Sequence, residues 1–235
     1  MNHDTFNQLK EMIVKVATAL GPDILSRTAF VGGVTTGLLL TDDLVIESVR
    51  ATDDVDLIIG TIGYPQQIAF EESVRELGFT DRTDNDVICR KWLGEIQVDF
   101  MPIDGTLGFE NRWYPDALAN ATEYDLTDEI TIRLLTPAYF LGTKFEAYNG
   151  RGGNDLLSSR DIEDIVNLIN GRDPIVQDIR DTENTELINY ISEQLDAIGR
   201  HEDFEYVLQS ATRGDDDRID IIYERVQAIQ GLIHD

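Results

Sequence analysis

Aspartates in the first half of the chain are the residues best suited to chemistry. Asp54 and Asp56 lie in Asp54-Val55-Asp56-Leu57, a segment whose β-branched and apolar residues predict a strand. Side chains two residues apart on a strand point to the same side, so both carboxylates are expected to project together. Such like charges repel unless a cation lies between them. Mg²⁺ is the expected metal, because it prefers hard oxygen ligands and often binds carboxylates together with substrate phosphates.

Asp99 is a third candidate ligand, and its surroundings are unusual for an acid. It lies within Glu95 to Phe100, a segment whose apolar residues predict another strand. An aspartate inside a strand is unfavourable by propensity and by desolvation, so it needs a partner. If this strand lies beside that of Asp54, Asp99 completes a trio of carboxylates. An Asp-x-Asp pair alone is weak evidence in an acidic chain, so Asp99 carries most of the metal-site prediction.

A candidate phosphate-binding turn precedes these aspartates. Gly32 and Gly33 lie between an apolar strand and a predicted helix, with Thr35 and Thr36 at the start of that helix. Glycine lets a backbone approach a ligand closely, and the free N–H groups of a helix start can bind phosphate. Gly-Gly by itself is typical of an ordinary strand-to-helix turn. Arg50 could hold a phosphate or simply pair with the acids nearby.

Alternating helical and strand patterns position these residues. The order α-β-α-β-α-β-β in the first half implies a mixed sheet, with a hairpin around Leu93-Gly94. Residues 104–130 predict an irregular connector, followed by a short strand near 129–134. The predicted helices cover residues 4–20, ended by Gly21-Pro22, 34–40 and 65–77, and the predicted strands cover 28–31, 55–59, 87–92 and 95–103.

From Thr136 onward the pattern is helical. We therefore predict an α+β fold, in which an α/β-type N-terminal half with a mixed sheet precedes a helical C-terminal region. The corresponding domains are residues 1–120 and 121–235. The predicted helices are 136–148, 159–169, a helix opening at Asp173-Pro174, 185–198, 202–210 and 216–233.

Lys144 is the most informative of only four lysines. On a helix directed at the sheet it could reach a triphosphate as a point charge, although a solvated helix lysine is an equal alternative. Asp161 and Asp164 share one face of the next helix. They could orient Lys144 or an acceptor, or they could be acids favoured by the dipole at the helix start.

The composition excludes several classes of protein. With 45 acidic and 19 basic residues, the formal net charge is −26, which repels nucleic acid unless a local basic patch forms. The same charge would attract a cationic molecule, or would serve only solubility. One cysteine, Cys89, excludes a disulfide framework and is expected to be a partly buried structural thiol. No apolar stretch suits a membrane span and no signal peptide is evident, so a cytoplasmic protein is expected.

Taken together, these segments resemble the polymerase-β-type nucleotidyltransferase superfamily. The resemblance rests on Gly32-Gly33, Asp54-Val55-Asp56-Leu57 and the isolated Asp99, in that order. In that superfamily a Gly-Gly or Gly-Ser turn precedes two strand carboxylates, and a third carboxylate lies on a neighbouring strand. The 20 residues between Gly33 and Asp54 exceed the commonest gap in minimal members.

Further segments are similar to the AbiEii-like nucleotidyltransferase toxin group. They are Arg50-Ala51-Thr52, Lys144-Phe145-Glu146-Ala147 and the run from Ser159 to Ile165. The resemblance covers about residues 28 to 170 and implies transfer of a nucleoside monophosphate from an NTP to an acceptor hydroxyl. It implies two Mg²⁺ ions on Asp54 and Asp56, with Asp99 binding the ion that activates the acceptor. Lys144 and Asp161 would act with them, and the helical domain would complete the nucleotide and acceptor site.

The acceptor stays open at this stage. A toxin-like member, of a type IV toxin–antitoxin pair, would modify RNA or protein and would have an antitoxin partner. A second possibility is the modification of a cationic small molecule, as in aminoglycoside-modifying relatives. A third is a module of the same fold that binds nucleotide or protein without catalysis, although idle carboxylate clusters cost stability.

Overall fold

The computed structural model describes residues 3–83, 87–151 and 155–234, and within them the strands form a six-stranded mixed sheet. The strand order is β3-β4-β2-β1-β6-β5. β2 runs parallel to β4 and antiparallel to β1, whereas β1 runs parallel to β6. The strands are β1 (Thr28–Val31), β2 (Asp54–Ile59), β3 (Arg90–Leu93), β4 (Ile96–Pro102), β5 (Thr122–Asp125) and β6 (Thr131–Leu134).

The sheet belongs to the first of two compact units, formed by the described residues of Met1–Thr35 and Arg50–Thr136. This unit also contains α1 (His3–Leu25), α4 (Gly63–Glu76) and α5 (Tyr114–Ala119). An aromatic cluster packs α4 against β4, since the Phe70 and Phe100 rings meet edge-on with centroids 5.2 Å apart. The face of β4 that carries Phe100 is therefore the covered, apolar face of the sheet.

The second unit is helical and comprises the described residues of Thr36–Val49 and Pro137–Asp235. The segment that follows the Gly-Gly turn thus packs with the C-terminal helices. Gly171 explains the close packing of this segment, because a Cβ built there would lie 2.7 Å from the Val45 side chain. The helices are α2 (Thr36–Leu39), α3 (Asp43–Ile46), α6 (Pro137–Gly150), α7 (Arg160–Gly171), α8 (Ile175–Arg180), α9 (Thr185–Gly199), α10 (Phe204–Thr212) and α11 (Asp216–Gly231).

The structure confirms the predicted α+β class, with a mixed sheet followed by a helical C-terminal region. Helix capping accounts for several accurate boundaries. The Ser159 hydroxyl accepts a hydrogen bond from the Ile162 N–H at the start of α7, as expected of an N-cap residue. None of the helices in the described ranges combines the length and the apolar content needed to cross a bilayer.

The end of α1 and the connector after β4 differ from the prediction. Gly21-Pro22 kinks α1 and does not end it: Gly21 takes φ 68°, and helical structure continues to Leu25. Proline is tolerated in the first turn after such a break, because its missing N–H is not needed there. The predicted irregular connector, residues 104–130, contains α5 and β5. β5 is largely exposed and polar, so it lacks the apolar alternation by which a strand is recognised.

Candidate metal centre

The three predicted carboxylates lie together because β2 and β4 are neighbours. In this parallel pair Asp56 lies opposite Asp99, and Asp54 lies opposite Gln97. Residues at i and i+2 of a strand share a face, so Asp54, Asp56 and Asp99 all project from one face of the sheet. The alternate residues, such as Val55 and Val98, are fully buried on the other side.

The carboxylate oxygens are close enough to share a cation. One oxygen from each of Asp54, Asp56 and Asp99 lies within 4.8 Å of the others. Asp99 is buried, whereas Asp54 keeps 35% of its side chain exposed, so the trio is open on one side. Three oxygen donors around a partly exposed point fit a hard divalent ion such as Mg²⁺, which takes its remaining ligands from water or substrate phosphate.

Arg90 on β3 is a member of this cluster that the sequence analysis missed. Its Nε and Nη2 atoms donate to the two oxygens of Asp99, each at 2.7 Å, and Nη2 also lies 3.3 Å from Asp54 Oδ2. Nη1 donates to the Gln97 amide oxygen. The hydrogen bond to Asp99, and then the charges of Asp99, Asp54 and Asp56, raise the pKa of Arg90 above its ordinary value.

A signal for Arg90 exists in the sequence. β3 and β4 form a hairpin whose two-residue turn, Gly94 and Glu95, includes a glycine at φ 60°. A turn of this length determines which residues face each other, and Arg90 then lies directly opposite Asp99. The predicted turn at Leu93-Gly94 lies one residue earlier and would place Arg90 opposite Gln97, so it indicates the correct face of the sheet but not the pair with Asp99.

Gly32 contacts the carboxylate trio directly. Its φ is 80°, and a Cβ at this position would lie 1.9 Å from Asp56 Oδ2. Glycine is therefore required both by backbone conformation and by space. The sequence predicts that this glycine lets the backbone approach a phosphate, and in the structure it makes room for the Asp56 carboxylate. Gly33 begins a 3₁₀ turn, Gly33–Thr35, immediately after it.

The other residues predicted to bind phosphate, Thr35, Thr36 and Arg50, have different surroundings in the structure. The Thr35 hydroxyl donates to the Gly32 carbonyl at 2.9 Å, which stabilises the turn. Thr36 begins the second unit and is fully buried. Arg50 is half-buried at the start of the following segment, where its Nη1 lies 3.5 Å from the Ala51 carbonyl. Thr52 orients Asp54 by donating its hydroxyl to Oδ1.

Lys144 and Asp161 lie together in the second unit. Lys144 Nζ donates to Asp164 Oδ2 at 2.6 Å and to Asp161 Oδ1 at 3.1 Å. All three residues are buried. Asp161 also accepts from the largely exposed Arg151, at 2.6 Å. Of the alternatives left open by the sequence, the structure favours Asp161 and Asp164 as residues that orient Lys144.

Cys89, next to Arg90, does not supply a reactive thiolate. Burial raises its pKa to about 12, and the charges of Asp99 and Asp56 add to that rise. The thiol is therefore neutral at physiological pH, as expected for a structural cysteine.

The similarity of this chain to known proteins is weak. Neither the protein-family models nor the curated proteins contain a match to this chain. An antigenic nucleotidyltransferase-like protein from Paracoccidioides brasiliensis matches with 21% identity and a TM-score of 0.45, over 79% of this chain and 92% of its own. The antibiotic-resistance factor ANT(2'')-Ia matches with 14% identity and a TM-score of 0.44, over 79% of this chain and 95% of its own. Similarity at this level assigns neither an activity nor a substrate.

Proposed function

We propose that this chain is a Mg²⁺-dependent nucleotidyltransferase, which transfers a nucleoside monophosphate from an NTP to an acceptor hydroxyl and releases pyrophosphate. The observation that carries the proposal is the carboxylate trio. Asp54 and Asp56 from β2 and Asp99 from β4 present oxygens within 4.8 Å of one another on one open face. Arg90 pairs with Asp99 and Asp54, while Asp54 and Asp56 keep partial exposure, so the trio can take a further cation.

The trio suits phosphoryl chemistry. Bound divalent ions would neutralise the triphosphate and stabilise the attacking and leaving oxygens of an in-line displacement. Asp54 and Asp56 would bind the ions that contact the triphosphate of the nucleotide. The oxygen of the acceptor hydroxyl bonds to the α-phosphorus, and Asp99 accepts the proton that this hydroxyl loses. The bond from the α-phosphorus to the bridging oxygen breaks in the same step, and pyrophosphate leaves.

The neighbouring turn supports the proposal. Gly32 lies against Asp56, so a phosphate bound to the backbone N–H of Gly33 would lie beside the same carboxylate. Arg50 and the hydroxyls of Thr35 and Thr36 belong to the proposed nucleotide-binding set on the strength of the sequence.

Lys144 and Asp161 are proposed to act on the nucleotide, as the resemblance implies. Their support in the structure is the ion pair between them, which holds the Lys144 ammonium in one position. The proposed role of Lys144 is that of a point charge for the triphosphate.

The proposed acceptor is a hydroxyl of RNA or protein, in a toxin-like enzyme that an antitoxin would neutralise. The sequence segments around Arg50, Lys144 and Asp161 support this choice. A cationic small molecule is the second candidate, and the formal net charge of −26 favours it. Such a field concentrates cations near the protein and disfavours a large RNA footprint.

The decisive experiment measures pyrophosphate release from purified full-length protein with Mg²⁺ and each of the four labelled NTPs, with and without total tRNA. We expect release with at least one NTP. Asp54→Asn and Asp56→Asn should each reduce it at least about 100-fold, because each removes a metal ligand. Asp116→Asn is the matched control, since Asp116 is an exposed acid of the same unit and its loss should leave the rate unchanged.

The same assay separates the alternatives. Label transferred to tRNA or to a protein band supports the toxin-like acceptor, whereas release that requires an added aminoglycoside supports the cationic one. Nucleotide binding without transfer in any arm would indicate a binding module. A wild-type protein that binds neither Mg²⁺ nor NTP would contradict the proposal.

A further inference from the structure

Arg90 occupies oxygens that a metal ion would use. Its Nε and Nη2 atoms engage both oxygens of Asp99 in a two-pronged pair, and Nη2 also contacts Asp54 Oδ2. Such fork-like contacts are the strongest that an arginine makes with a carboxylate. Thr52 engages the other oxygen of Asp54. The guanidinium takes one lone pair of each Asp99 oxygen, and its positive charge disfavours a divalent ion at the lone pairs that remain.

The environment holds Arg90 in this position. Gln97 receives Nη1, so all three guanidinium nitrogens have partners on the face of the sheet that carries the trio. The side chains of Arg90 and Asp99 are 18% and 10% exposed, which limits competition by water. Partial burial makes the pair stronger than a surface ion pair, and also makes an unpaired Asp99 costly.

We propose that Arg90 is an internal counter-cation that competes with the divalent ion for Asp99. This inference rests on the proposed function, because it assumes that the trio binds a metal ion. While Arg90 is paired, it offsets part of the repulsion among Asp54, Asp56 and Asp99. A divalent ion at Asp99 must displace the guanidinium or share the carboxylate with it, so Arg90 lowers the affinity of that position. Arg90 is thus a positioning residue that makes the site load metal at a higher concentration than three free carboxylates would.

The test measures the affinity for Mn²⁺ alone by calorimetry, with free Mn²⁺ counted by electron paramagnetic resonance, on the full chain without nucleotide. Arg90→Gln should bind Mn²⁺ about 10-fold more tightly than the wild type, because a neighbouring positive charge and a competing donor are removed. Arg75→Gln is the matched control. Arg75 has the same charge but lies on α4, where it pairs with Asp81, and its affinity change should be below about twofold.

Thermal unfolding gives a second readout. Without metal, Arg90→Gln should melt at a lower temperature than the wild type, because the carboxylates lose their cation. Mn²⁺ should then raise the melting temperature of Arg90→Gln more than that of the wild type. If Arg90 were merely structural, Arg90→Gln would lower the melting temperature by the same amount with and without Mn²⁺.

Arg90→Lys keeps the charge and covers the case in which Arg90→Gln does not fold. A lysine cannot form the two-pronged pair, so we expect an affinity between those of the wild type and Arg90→Gln. In the wild type, the Arg90 Nε–H resonance should shift as Mg²⁺ is added, since its contact with Asp99 changes. The resonance is assigned by its absence from Arg90→Lys.

Equal Mn²⁺ affinity in the wild type and the Arg90 variants would overturn this inference, as would weaker binding in the variants. Failure of the proposed function has a different signature: Mn²⁺ affinities would change as expected while no NTP was consumed. Nucleotidyl transfer together with unchanged Mn²⁺ affinities would leave the function standing and remove the role of Arg90. Absence of Mn²⁺ binding in every variant would contradict both.

Discussion

Two groups of charged residues, one in each unit, differ in burial and in charge balance. In the sheet unit, the Arg90 guanidinium contacts Asp99 and Asp54 of the carboxylate trio, and Asp54 remains partly exposed. In the helical unit, the buried aspartates Asp161 and Asp164 contact two cations, Lys144 and Arg151. The sheet cluster holds more negative charge than its guanidinium neutralises, and it is open to solvent. A partly exposed carboxylate can take a further ligand, whereas the helical cluster is buried and contains the counter-charges that burial requires.

The largest expected effect comes from breaking the buried cluster. Asp164→Ala should lower the free energy of unfolding by about 3–5 kcal/mol, because it leaves Lys144 buried beside a lost partner. Urea unfolding followed by circular dichroism measures the change. Arg151→Gln is the control within the same cluster, and its exposed side chain predicts a loss below about 1 kcal/mol. Equal losses in both variants would contradict the larger stability contribution expected of the buried contact.

A double substitution tests whether Lys144 does more than balance charge. Lys144→Met with Asp164→Leu replaces the ion pair by apolar side chains, which should restore most of the lost stability. If Lys144 binds the triphosphate as proposed, the restored protein should still transfer nucleotide at least about 10-fold more slowly than the wild type. Full activity in this variant would reduce Lys144 to a structural role.

Gly32→Ala tests how tightly the open cluster is built. The positive φ predicts a stability loss of about 1–3 kcal/mol. The Cβ would also collide with Asp56 Oδ2, so Mn²⁺ affinity should fall as the carboxylate is displaced. Gly78→Ala is the matched control, because Gly78 has φ 96° and open space around its Cβ position. Gly78→Ala should lower the stability and leave the Mn²⁺ affinity unchanged. A Mn²⁺ affinity unchanged in Gly32→Ala would show that Asp56 is not a ligand.

The smallest expected effect concerns an ion cluster that contains Lys91, on the opposite face of the same sheet. Lys91 Nζ contacts Asp81 at 2.6 Å and Glu71 at 3.0 Å. The hydrogen bond from Lys91 is the main cause of a lowered pKa for Asp81. A lowered carboxyl pKa adds stability above the unfolded value, near 4, and this stability is lost as pH falls through the folded pKa.

The stability difference between the wild type and Asp81→Asn should therefore be larger at pH 6 than near pH 2.5. Because the Asp81 side chain is half-exposed, the difference at pH 6 should stay below about 1 kcal/mol. Urea midpoints at the two pH values measure it. A difference that grows towards acid pH would mean that Lys91 does not stabilise the Asp81 carboxylate.

Much of the first unit was predictable from local pattern. The strand Thr28–Val31 was located from its apolar residues, and Asp54–Ile59 was identified with a one-residue difference at its start. β5 was missed because it is a polar edge strand, and α3 because its four residues are too short to show a helical period. The helix predicted at 34–40 is a 3₁₀ turn followed by the short α2, since local propensity does not distinguish these forms.

The candidate site was predicted less completely than the strands that carry it. Asp54 and Asp56 follow from strand periodicity, and Asp99 from the cost of an acid among apolar neighbours. Arg90 was missed because, taken alone, an arginine on a strand does not differ from a solvated one. Its importance depends on a cross-strand partner, and the amino-acid type does not reveal that partner.

The sequence by itself determined the elements and the side to which their residues point. Local periodicity and capping operate within one segment, so the shared face of Asp54 and Asp56 needed no tertiary information. Only the tertiary structure decided that β4 lies parallel to β2, with Asp99 opposite Asp56 and Arg90 opposite Asp99. Strand order and register depend on how the whole sheet buries its apolar face, which no single segment encodes.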